Sequence, residues 1–139
     1  MKKLQKYLCS ICVLLLLTAG VSGCSMSSLG STKLRDLEFT VVSEERLPDE
    51  LKTLIDERKT KEFKLTYNDK EFLYICIGYG EQATGGYSIA VNDLYLTENA
   101  ITINTSLLGP GTEDTPGNAS SYPYIVVKTE YLDKTVTFE

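Results

Sequence analysis

Few side chains in this sequence could do chemistry, and their types narrow what it can be. Among its 139 residues there is no histidine. The commonest general base, the commonest metal ligand and every Ser-His or Cys-His pairing are therefore missing. Catalysis would have to rely on carboxylates or lysine, so the expectation is a protein that is not an enzyme and holds no metal or cofactor. Four cysteines remain. Cys9 and Cys12 have C-x-x-C spacing, but they lie in an apolar stretch that reads as a discarded leader and carry no redox expectation. Cys76 sits within the apolar run of residues 72–77 and reads as a buried small hydrophobe. Cys24 differs, because its neighbours give it a reaction to undergo.

Those neighbours organise the first 23 residues as a secretory leader. Lys2, Lys3 and Lys6 form a basic start. Residues 8–21 form an apolar core of about 14 residues, short of the ~20 that a membrane span needs. Val21-Ser22-Gly23-Cys24 follows and resembles the lipobox of bacterial lipoproteins. The resemblance implies cleavage before Cys24 and diacylglycerol attachment to its thiol, with a palmitate-type acyl anchor. Two or three acyl chains hold a protein on a membrane, where a single chain is marginal. The mature protein is then expected outside the cytoplasm. It would sit on the cell membrane, or on the outer membrane of a diderm host, because serine follows the cysteine.

The expected organisation is a signal peptide over 1–23, a flexible polar tether over 24–35 and one domain over 36–139. Losing three of the 14 basic residues with the leader leaves 11 against 19 acidic ones, a net charge of −8. A surface so acidic has no electrostatic footprint for nucleic acid, and it leaves the lipid as the membrane contact. After processing only Cys24 and Cys76 remain, and the first carries lipid, so no intrachain disulfide is expected.

The elements that position everything else are mostly strands. Leu37, Phe39 and Val41 alternate with other residues as a first strand. Pro48-Asp49-Glu50 starts a helix expected over 48–60, with Leu47, Leu51, Leu54 and Ile55 on one face and cations near its end. Phe63, Leu65 and Tyr67 alternate up to a turn at Asn68-Asp69-Lys70. Residues 72–77 are apolar on both faces, as in a central strand. In the strand over 87–96 the apolar phase slips by one residue at Asn92-Asp93, which predicts a β-bulge. Further strands follow over 101–105, 124–129 and 135–138, the last two expected to pair around Leu132-Asp133-Lys134. The fold class is mainly β: an antiparallel β-sandwich or open barrel of about seven strands with one α-helix.

Two glycine-rich loops, 78–87 and 107–122, are long for so small a domain. The first ends in Thr84-Gly85-Gly86-Tyr87 and the second in Tyr122-Pro123-Tyr124. Adjacent glycines allow positive φ and close backbone approach, and Thr84 can bond the turn through its hydroxyl. Pro123 suits the first position of a strand. No lysine or helix follows the glycines, so they are not a phosphate cradle. Two readings stay open. The loops are tight strand corners, or they are exposed tips that dock into a partner, with tyrosine supplying contact area. On the second reading the loops lie at one end of the sandwich, and Thr84, Gly85, Gly86, Tyr87, Tyr122, Pro123 and Tyr124 form one partner-binding surface.

Thr84-Gly85-Gly86-Tyr87-Ser88-Ile89, followed after the long loop by Ser121-Tyr122-Pro123-Tyr124-Ile125-Val126-Val127, resembles the C-terminal domain of the PrcB family. The likeness runs over residues 63–129. The chain departs from that family's pattern at Asn118-Ala119-Ser120, where glutamine is common. The family is named for a protease-complex subunit, so the resemblance implies a non-catalytic interaction module, an accessory or stabilising partner of a secreted protease. The alternative is an inhibitor, since Thr84-Gly85-Gly86-Tyr87 is similar to a loop of chagasin-type cysteine-protease inhibitors. Their tryptophan-containing loop has no counterpart in this tryptophan-free chain.

Overall fold

The computed structural model describes residues 32–113 and 117–139; the leader, Cys24 and most of the tether lie outside them. Eight strands form two four-stranded sheets: β1 (Lys33–Asp36), β2 (Phe39–Val41), β3 (Glu62–Asn68), β4 (Phe72–Tyr79), β5 (Ser88–Thr97), β6 (Ala100–Leu108), β7 (Tyr124–Glu130) and β8 (Thr135–Phe138). The first sheet has the order β1-β5-β6-β8 and the second β2-β7-β4-β3. Among the described residues one α-helix, α1 (Asp49–Asp56), covers the outer face of the second sheet. The domain is a helix-on-sandwich and not a closed barrel.

Strand alternation explains the layering. Leu73, Ile75 and Ile77 of β4, with Ile125 and Val127 of β7, face Leu94, Ile101 and Ile103 across the space between the sheets. The intervening Tyr74, Cys76 and Val126 point the other way, onto Leu47, Leu51 and Ile55 of the helical segment. β4 is therefore apolar on both faces because both are covered. Burying each of these aliphatic side chains contributes about 1.5–3 kcal/mol. Among the described residues no helix covers the outer face of the first sheet, and Asn104 and Ser106 of β6 on that face bind the Asn92 amide at 2.6 and 2.7 Å. Asn92 is the extra residue of the expected bulge, where Val91 pairs with Thr105 and Asp93 with Asn104.

Several local expectations needed correction. The polar stretch read as tether already forms strand β1 from Lys33, paired with Thr97 of β5. The chain then switches sheets at Leu37, which is buried, and continues as β2 against β7. The helix expected over 48–60 ends at Asp56 and passes into turns. Its buried face stops at Ile55, and Arg58 and Lys59 offer nothing apolar to continue it. β7 and β8 do not pair with each other. β8 crosses to the first sheet and runs parallel to β6. Leu132 packs into the inter-sheet core and draws the connection across the sandwich, so Val136 and Phe138 face the residues of β4 and β7 instead of lying beside them.

The turn at Asn68-Asp69-Lys70 is held by one carboxylate. Asp69 Oδ1 accepts the N–H groups of Phe72 at 2.9 Å and Glu71 at 3.3 Å, and Oδ2 accepts the Tyr74 hydroxyl at 3.1 Å. The Phe72 amide above all holds the Asp69 carboxyl below its usual value of 3.8. A depressed folded-state pKa means that the contribution is present above the unfolded value and is lost as pH falls through the folded one. We expect Asp69→Asn to cost stability at neutral pH, and the gap to wild type to narrow on acidification below about pH 4. Urea midpoints measured at neutral pH and at about pH 2.5 check this; a constant gap would remove Asp69 from the acid response.

Candidate functional site

Both glycine-rich loops cross between the sheets. The first leaves β4 in the second sheet and enters β5 in the first; the second leaves β6 and returns to β7. Gly78 near the end of β4 pairs with Tyr124 at the start of β7, and Ser88 at the start of β5 pairs with Leu108 at the end of β6. All four strand ends meet at one end of the sandwich, so the loops share it. Two sheet-to-sheet crossings at the same end bring them together.

The loops are bonded to each other. Gln82 and Ser121 form an isolated antiparallel bridge, each N–H donating to the other's carbonyl at 2.8 and 3.0 Å. The Ser121 hydroxyl donates to the Thr84 carbonyl at 2.6 Å. The Gln82 amide donates to the Tyr79 carbonyl at 3.1 Å, and the Tyr79 N–H donates to the Pro123 carbonyl at 3.0 Å. Thr84 bonds the turn as anticipated, its hydroxyl donating to the Gly85 carbonyl at 3.2 Å. In the sequence Ser121 stands out only as the start of the Ser-Tyr-Pro-Tyr segment, and Gln82 not at all. No local pattern marks their pairing, because the bond joins distant segments.

Of the two glycines only Gly86 has positive φ, at 83°. A Cβ there would stand 2.9 Å from the Cβ of Pro110 in the other loop, whereas a Cβ on Gly85 meets nothing within 4 Å. Gly86 is thus where the two loops touch without a side chain between them, and Gly85 has no such constraint. Gly80, at φ 71°, turns the chain out of β4 against the backbone of Lys61 and Glu62.

The tyrosines divide between packing and exposure. Tyr79 packs on the inter-sheet core and shares a 2.7 Å hydrogen bond with the Thr105 hydroxyl. Tyr124 packs against the helix-side core. Burial first, and then the nearby Glu44 carboxylate, push its hydroxyl up to about 12. Tyr87 and Pro123 are half-buried, while Tyr122 keeps 37% of its surface exposed. The Lys59 ammonium, 2.7 Å from Asp56 Oδ1, also feels Glu44 and Tyr122 and places the end of the helical segment beside the loops.

This end can offer shape, tyrosine surface and a few charges, but little reactive chemistry. Cys76 is fully buried and its thiol is pushed up to about 12 by that burial, so it stays protonated. Among the described residues no group of three or more acids or cysteines could hold a metal ion.

No curated protein and no solved structure matches the chain. A family model does: residues 73–130 match the family described as PrcB C-terminal. The matched segment takes in β4, β5, β6, β7 and both crossing loops, and leaves out β1 to β3, the helix and β8. That segment, the part of the domain that builds the bonded loop tip, supports assignment to the PrcB family.

Proposed function

We propose that this protein is a lipid-anchored extracytoplasmic lipoprotein whose domain is a non-catalytic interaction module, an accessory or stabilising subunit of a secreted protease. The bonded loop tip is its contact surface. The observation that carries this reading is the Gln82–Ser121 bridge, which locks two long loops into one shape and leaves Tyr122 exposed on it. The chain enters the domain at Lys33, paired with Thr97 at the end of β5 remote from the loops, so the entry point does not cover the loop tip. The family match adds a protease complex as the class of partner.

The test is co-purification of the tagged, lipid-bearing protein from detergent-solubilised membranes. A secreted protease should be captured, and Tyr122→Ala should weaken its binding by roughly 1–3 kcal/mol while leaving the melting temperature unchanged. Capture that is indifferent to Tyr122→Ala would remove the loop tip from the interface.

A further inference from the structure

The first sheet is uneven in length. β6 runs from Ala100 to Leu108, but β8 pairs with it only from Ala100 to Ile103. Among the described residues no strand pairs with β6 on that side beyond Ile103. The direction of its backbone groups there follows from two bonds. The Glu139 N–H donates to the Ile103 carbonyl at 2.9 Å, so the polar groups of Ile103 face the β8 side. The Leu37 N–H donates to the Leu94 carbonyl at 3.0 Å, so Leu94, the β5 partner of Ile103, faces away from β6, as a non-hydrogen-bonded pair requires. Alternation then turns the N–H and C=O of Thr105 and Leu107 to the same open side.

A cavity of about 480 Å³ lies beside this edge, lined by Ile77, Tyr79, Ile103, Thr105 and Phe138 among others. It occupies the row that β8 vacates. Gly78 and Phe63 border it from the second sheet, the Phe63 ring lying on the helix side of that sheet over Gly78, where a Cβ would stand 2.1 Å from Phe63 Cε1. Two carboxylates, Glu62 and Glu139, line the mouth, and the one ammonium there, Lys64, is engaged over the Phe138 ring at 5.4 Å. The other edges are guarded. β2 and β8 have only three and four residues, β1 is irregular between Lys33 and Arg35, and β3 carries the inward Lys64. Among the described residues the β1 side of β5 is also open over residues 88–92, but the cavity lies on the β6 side and decides between them.

We infer that the edge of β6 from Thr105 to Leu107 receives an extended, basic segment of the partner protein as a fifth strand of the first sheet, with one apolar side chain in the cavity. Main-chain bonds supply affinity and the cavity selects the side chain. The carboxylates at the mouth set the preference for lysine or arginine at the alternate positions. This rests on the reading of the domain as an interaction module and gives its partner a recognisable chemistry.

The probe is a capped synthetic hexapeptide that alternates lysine with valine, tryptophan and valine. The chain itself has no tryptophan, so the emission belongs to the peptide alone. We expect a saturable blue shift on titration with the domain. Leu107→Pro removes an outward N–H that β5 does not use, and should weaken binding about tenfold or more. The double variant Glu62→Lys/Glu139→Lys alters only exposed side chains and should also weaken it about tenfold at low salt. It keeps the test alive if Leu107→Pro does not fold. No saturable shift, or affinity unchanged in the folded variants, overturns the inference, and so does sedimentation showing the edge occupied by a second copy of the chain. Should that happen while Tyr122→Ala still weakens capture of the protease, the loop-tip reading stands without the edge.

Discussion

Gly86→Val should lower stability by about 3 kcal/mol, and Gly85→Val, one residue earlier, should be close to neutral. Two costs add at Gly86. A β-branched residue at positive φ is strained by on the order of 1–3 kcal/mol, and the added Cβ meets Pro110 at 2.9 Å, an overpacking worth about 1–3 kcal/mol more. Gly85 has neither the backbone conformation nor a neighbour within 4 Å. For a domain of this size the difference corresponds to roughly 10–20 °C in Tm, readable by circular dichroism. Equal melting of the two variants would mean that the loops do not meet at Gly86. Because Pro110 belongs to the second loop, the same substitution should also disturb the Gln82–Ser121 bridge, and with it partner capture.

Cys24→Ser should empty the membrane fraction of processed protein. The effect is all-or-none, because anchoring by acyl chains is lost with the thiol that carries them. Among the described residues no helix is long and apolar enough to cross a membrane and take over. Fractionation with mass spectrometry of the amino terminus checks it, the expected products being released protein or an uncleaved precursor. A normally processed, membrane-bound Cys24→Ser protein would end the lipoprotein reading.

What the amino-acid sequence determined by itself is whatever a strand's own alternation reports. The double-sided apolar run of β4 foretold a central strand with Cys76 buried, and the structure covers both its faces. The phase slip at Asn92 foretold the bulge. The apolar stripe at Leu47, Leu51, Leu54 and Ile55 foretold the helix, though not its early end, since propensity in residues 57–60 continued after the buried face had run out. The short Thr-Gly-Gly-Tyr and Tyr-Pro-Tyr motifs sufficed to point to the PrcB family.

The tertiary structure alone decided who neighbours whom. Alternation tells which side of a strand is buried but not against what. A β7–β8 hairpin and a β8 that crosses to lie parallel to β6 would bury the same side chains, and only Leu132 packing between the sheets separates them. Two adjacent glycines look alike in a sequence, yet only Gly86 takes positive φ and meets Pro110 from the other loop. The bond from Ser121 to Thr84 spans 37 residues. Contacts at that separation depend on how two sheets are stacked, and stacking is set by the fit of all the inward side chains at once, which no local pattern encodes.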